Sequence, residues 1–134
     1  MKVFIADDSR IMRERLIGML NEFHDIDIIG EAHDGIGAIE GIQTLEPDFL
    51  ILDIRMPAGN GMDVLKNIQN QHLPLTVAVF TNFPTPQYQK KCIALGADYF
   101  FDKSEDFEKL IGVLKGLAAQ KVLGIHSNQR PSVK

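Results

Sequence analysis

The chain predicts an α/β domain, a doubly wound parallel sheet of five strands lying between two layers of helices. Two observations in its 134 residues predict this. Short apolar runs alternate with stretches that carry apolar residues at helical spacing, so the order is strand, helix, strand, helix throughout. The first, third and fourth runs are continuously apolar, as strands covered on both faces are.

The first run is Val3-Phe4-Ile5-Ala6, and the stripe Met12, Leu16, Met19, Leu20 and Phe23 then predicts a helix packed on the sheet. Ile26 to Gly30 is the second strand; Ala38, Ile42 and Leu45 mark the second helix, closed by Pro47. Phe49-Leu50-Ile51-Leu52 precedes a third stripe of Val64, Leu65 and Ile68. Val77-Ala78-Val79-Phe80 leads to a fourth helix containing Cys92 and Leu95, with Gly96 as its stop. Tyr99-Phe100-Phe101 is the fifth strand, and Phe107, Leu110, Ile111, Leu114 and Leu117 form the last helix, which Ser104, Glu105 and Asp106 open. Right-handed crossovers fold five such units most readily into a three-layer, flavodoxin-like sandwich with strand order 2-1-3-4-5. The expected domain covers residues 1–123, and residues 124–134 read as a polar C-terminal tail.

A net charge of −4, a pI near 5.5 and scattered Lys and Arg residues argue against a nucleic-acid partner for this chain. A single cysteine, Cys92, excludes an internal disulfide and fits a reducing, cytoplasmic setting. No apolar run approaches the roughly 18 residues of a membrane span, so no membrane partner is expected.

Ligands of open α/β sheets bind beyond the carboxyl ends of the strands. Strand one is followed there by Asp7 and Asp8, strand three by Asp53, strand four by Thr81 and strand five by Lys103. Singly, these are an ordinary cap, turn residues and a solvated lysine. Together they place three carboxylates on one rim, where each close pair costs about 2–4 kcal/mol at an effective dielectric near 20. A hard cation relieves that repulsion, and oxygen-only ligands open to a phosphate favour Mg²⁺, with Lys103 adding a further positive charge.

From Met1 to Leu123 the chain resembles the receiver domain of two-component response regulators. The resemblance rests on Asp7-Asp8, on Asp53-Ile54-Arg55-Met56-Pro57 with Gly61, on Thr81, on Lys103 after Phe101, and on Leu95-Gly96-Ala97-Asp98-Tyr99. It implies that Asp53 accepts a phosphoryl group from a phosphohistidine on a sensor histidine kinase or a histidine phosphotransfer protein. It also implies that Asp8, Asp53 and the main-chain carbonyl of Arg55 bind Mg²⁺ directly, with Asp7 acting through water. Lys103 and Thr81 then meet the phosphoryl oxygens, and Phe101 turns as the switch. The face made by helix four, strand five and helix five presents the change to a downstream protein target, in a monomer or a phosphorylation-dependent dimer. Such a domain catalyses only its own phosphorylation and dephosphorylation.

The chain departs from that family at three places. Ser104 follows Lys103 where proline is usual, and predicts a trans peptide with Ser104 capping helix five. Asn82 stands beside Thr81 where a very small residue is common, and predicts restricted access to the site. The glycines of Ala58-Gly59-Asn60-Gly61 predict a mobile loop. Rival readings are an aspartate-nucleophile phosphatase, which wants a second Asp where Arg55 stands, and a nucleotide or flavin module, which wants a glycine-rich cradle after strand one. A third is a phosphorylation-independent pseudo-receiver that acts as an interaction module. No output region follows helix five, so the expectation is a stand-alone receiver or one part of a longer regulator.

Overall fold

The computed structural model describes residues 1–124. The polar tail expected at 124–134 therefore lies outside the described residues except for Gly124. Strands β1 (Lys2–Ala6), β2 (Asp27–Ala32), β3 (Phe49–Leu52), β4 (Thr76–Thr81) and β5 (Tyr99–Asp102) alternate with helices α1 (Arg10–Leu20), α2 (Gly35–Leu45), α3 (Gly61–Asn70), α4 (Pro86–Ala94) and α5 (Phe107–Val122). The sheet is parallel with order β2-β1-β3-β4-β5, the order the sequence predicts.

Side chains alternate across the strands. Phe4, Leu50, Val77 and Val79 face α2, α3 and α4, where Ala38, Ile42, Val64, Leu65, Ile68 and Cys92 complete one core. Val3, Ile5, Phe49, Ile51 and Phe80 face α1 and α5, and pack on Leu16, Leu20, Phe107, Leu110 and Leu114. Each layer is a separate apolar cluster, so β1, β3 and β4 are sealed on both sides. The thiol of Cys92 is fully buried, and burial pushes it up to about 11.

Several local expectations are corrected. β2 runs on through Glu31 and Ala32, because these residues pair with Ile5 and Ala6 at the sheet edge. Met19 and Leu45, expected on buried stripes, lie on the exposed sides of their helices. Ser104 does not cap α5. Its amide and hydroxyl both donate to Asp102 Oδ1, at 2.9 and 2.7 Å, inside the turn that precedes the helix. The N-cap is Asp106, whose carboxylate is taken instead by the Asp102 N–H at 2.9 Å. All described peptide bonds, Lys103-Ser104 included, are trans.

The glycine-containing loop before α3 is tied down rather than loose. Gly35 and Ile36 N–H donate to Pro57 O and Ala58 O at 3.2 and 3.0 Å, joining the loop to the start of α2. Asn60 and Asp63 form a reciprocal capping box at the start of α3. Gly59 carries the loop through a left-handed turn at φ +91°, whereas Gly35 and Gly61 serve close approach. A Cβ on Gly35 would collide with Gly59 O, and one on Gly61 with Asp53 O. Helix α4 ends as predicted at Gly96, where Gly96 N–H to Ile93 O and Ala97 N–H to Cys92 O make a Schellman motif.

Candidate functional site

β1 and β3 end level with one another, since Ala6 pairs with Leu52, while β4 runs two residues past Val79, the partner of Leu52, to end at Thr81. The main chain continues the ladder one residue further. Asp7 N–H donates to Ala32 O at 3.0 Å, Asp53 N–H to Ala6 O at 2.8 Å and Lys103 N–H to Thr81 O at 2.9 Å. The rim residues thus inherit the rigidity of the sheet rather than the freedom of loops.

The four charged groups predicted from strand ends meet here. Lys103 Nζ lies 2.7 Å from Asp7 Oδ2 and 3.1 Å from Asp53 Oδ2. Carboxylate oxygens of Asp7, Asp8 and Asp53 lie within 4.8 Å of one another. Asp7, Asp53 and Lys103 are buried, whereas Asp8 is open to solvent. Both carboxylate oxygens of Asp7 are engaged by protein groups, because Oδ1 accepts the Ser9 N–H at 2.9 Å while Lys103 holds Oδ2.

Burial raises the Asp53 carboxyl to about 6; the negative charges of Asp7 and Asp8 add to the rise, and the Lys103 ammonium opposes it. Burial also acts to lower the Lys103 ammonium, but its hydrogen bond to Asp7 and the charge of Asp53 outweigh burial and leave it above its ordinary value. Three carboxylates against one ammonium leave the cluster with an excess of negative charge when all are ionised. Its donors are all oxygen, the set that suits a hard divalent cation.

Thr81 ends β4 fully buried, and its Oγ1 accepts the Phe83 N–H at 3.0 Å. Asn82 beside it is exposed. Phe101, on β5, is half-buried and stacks on Tyr99 with centroids 5.8 Å apart and planes 11° apart. The Arg55 guanidinium lies over the ring of Phe83, its carbon 3.8 Å from the centroid.

Three supporting residues were not read from the sequence. Ser9 caps α1 through Met12 N–H while its own amide fixes Asp7, and Arg13 Nη1 donates to Asp7 O at 2.7 Å. Arg13 Nε also pairs with Glu31 at 2.7 Å, tying α1 to β2. Their signal was a serine two positions after Asp7 with an arginine one helical turn on. Phe83 is the third, an aromatic in the loop after Thr81.

Comparison with known proteins agrees with this geometry. A family model described as response regulator receiver domain matches residues 3–115. Protein-glutamate methylesterase/protein-glutamine glutaminase 2 of Vibrio vulnificus is 33% identical over 143 residues, covering 99% of this chain and 41% of that protein. The chain therefore spans less than two thirds of that relative's length. The response regulator domain of Thermotoga maritima CheB superposes with a TM-score of 0.79 at 28% identity, covering 90% of this chain and 94% of that one. A chain of the CheX–CheY–BeF3–Mg complex from Borrelia burgdorferi superposes with a TM-score of 0.76 at 27% identity, covering 91% and 88%.

Proposed function

Because the chain belongs to the response regulator receiver family, and receivers are phosphoacceptor signalling domains, we propose that Asp53 is its acceptor and that a divalent metal ion, Mg²⁺, assists. The observation that carries this reading is the Lys103 ammonium lying between Asp7 and Asp53 at the edge of an all-carboxylate cluster. Lys103 stays charged because the two carboxylates outweigh its burial, so a fixed cation awaits the transferring phosphoryl oxygens.

Asp53 must be ionised to attack phosphorus. A carboxyl raised to about 6 is mostly ionised at neutral pH, and is a stronger base than an ordinary aspartate. Asp8, Asp53 and the Arg55 carbonyl would hold the metal directly, with Asp7 acting through a water, a division of labour favoured by the hold of Ser9 and Lys103 on the two Asp7 oxygens. When bound, Mg²⁺ neutralises charge on the phosphoryl oxygens. The chain's own residues do the rest: Lys103 orients the acceptor, Thr81 takes a phosphoryl oxygen by turning its hydroxyl, and Phe101 follows.

The donor in this reading is a phosphohistidine of a sensor kinase or phosphotransfer protein in the cytoplasm. Among the described residues no helix is long and apolar enough to cross a membrane. The α4-β5-α5 face would meet the downstream protein. Asn82, exposed beside Thr81, would limit access of small phosphodonors and water. The methylesterase activity named for the Vibrio relative belongs to that protein.

Intact-mass measurement after incubation with acetyl phosphate and Mg²⁺ tests the proposal. One added phosphoryl group is expected, absent without metal and absent in Asp53→Ala. No uptake by the wild-type chain from acetyl phosphate or from a phosphorylated histidine donor would establish a pseudo-receiver instead.

A further inference from the structure

Two side chains, each two positions along the chain from a residue of the site, take no part in its chemistry and yet meet each other. Arg55 stands two positions after Asp53 in the loop between β3 and α3; Phe83 stands two positions after Thr81 in the loop between β4 and α4. The guanidinium carbon lies 3.8 Å from the ring centroid, well within cation–π range. The main chain of the same phenylalanine donates to Thr81 Oγ1 at 3.0 Å. A continuous set of contacts therefore joins the loop after the acceptor to the hydroxyl that has to turn once a phosphoryl group arrives. Phe83 is half-buried and Arg55 exposed, so the stack sits at the mouth of the site rather than in the core.

We propose that Arg55 and Phe83 form a latch, holding together the two loops that flank Asp53, keeping Thr81 in its resting position and screening the acceptor from small phosphodonors. The inference rests on Asp53 being the acceptor. Arg55 and Phe83 are positioning residues: they act through the loops and through Thr81. The cation is on one loop and the ring on the other, so closure needs both partners, and losing either opens the latch as fully as losing both. That is the signature separating a latch from two independent steric effects.

The test is the initial rate of phosphoryl uptake from acetyl phosphate in Mg²⁺, followed by intact mass. In that reaction an Asp53 oxygen bonds to phosphorus, and acetate departs with the electrons of the broken P–O bond. Arg55→Ala, which keeps the main-chain carbonyl, and Phe83→Leu, which keeps the bulk but not the aromatic face, are compared with the double variant. Each single variant is expected to react about fivefold faster, the factor expected on releasing a partly exposed cation–π contact, and the double variant no faster than either. Phe83→Tyr, which keeps an aromatic face, is expected to react at the wild-type rate. Wild-type rates in both single variants, or multiplying effects in the double, would overturn the latch. So would full restoration by Arg55→Lys together with a slower Arg55→Ala, which would show that the charge merely attracts the anionic donor. Failure of uptake in the wild type as well would overturn the acceptor assignment instead.

Discussion

Asp53 shows how a single carboxylate balances stability against reactivity. Its folded-state value of about 6 lies above the ordinary 3.8, so the folded protein holds this proton more tightly than the unfolded chain does. Ionising it therefore opposes folding. The penalty is absent below about pH 4, grows as pH rises towards 6, and is fully present above that. In metal-free protein at pH 7.5, Asp53→Asn should raise stability by about 1–3 kcal/mol, because the amide accepts from Lys103 without carrying charge. Urea unfolding at pH 7.5 and at pH 4 checks this, the gain being expected only at the higher pH. The acidic residues and Lys103 were legible in the sequence because each stands within two residues of the end of an apolar run, and strand ends in such a sheet share one rim. Ser9, Arg13 and Phe83 were not. The spacing of Ser9 and Arg13 after Asp7 was a signal, but what they and Phe83 contact depends on side-chain directions and on the hydrogen bond from the Ser9 amide back to Asp7, which only the fold decides.

Helices and loops set the site through contacts that tolerate little change. The loop after β3 is joined to α2 at Gly35, where a methyl group would collide with the backbone oxygen of Gly59. Gly35→Ala should therefore force the two segments apart, lower stability by about 1–3 kcal/mol and slow phosphoryl uptake, as chemical denaturation and intact mass together would show. At the far end of β4, Asp98 anchors the start of β5. Its carboxylate accepts the Val77 N–H at 2.8 Å, and its own N–H donates to Val77 O at 2.9 Å. Asp98→Ala leaves a buried donor without that acceptor and should cost about 1–3 kcal/mol in a urea titration. The inner strands were easily read, since runs such as Phe49–Leu52 are apolar and buried throughout, whereas the edge strand β2 was read short because the exposed Glu31 interrupts its later residues. The turn at Ser104 and the loop at Gly59 misled for one physical reason. Serine and glycine each serve two purposes, and only the neighbouring backbone decides between cap and turn, or between freedom and close approach.

At the scale of the molecule, two apolar layers support one charged rim, and the rim's excess of carboxylate should link metal binding to folding. Mg²⁺ at ten times its dissociation constant should stabilise the protein by about 1.4 kcal/mol, seen as a rise in melting temperature that Asp8→Asn diminishes. Strand order was predictable from the βα alternation, because crossover handedness leaves few topologies. The pairing of loops across the mouth was not predictable, because it depends on how far apart the strand ends are set. The sequestered sulfur of Cys92 offers a last consequence. It is the chain's sole thiol, and with its proton retained to about pH 11 in the native protein it is inert towards alkylating agents until the layer under α4 opens. Its modification by a small maleimide is therefore a clock for that opening, one that needs no engineered label, and saturating magnesium should slow it if the metal-bound rim and the sheet beneath it open as one cooperative unit.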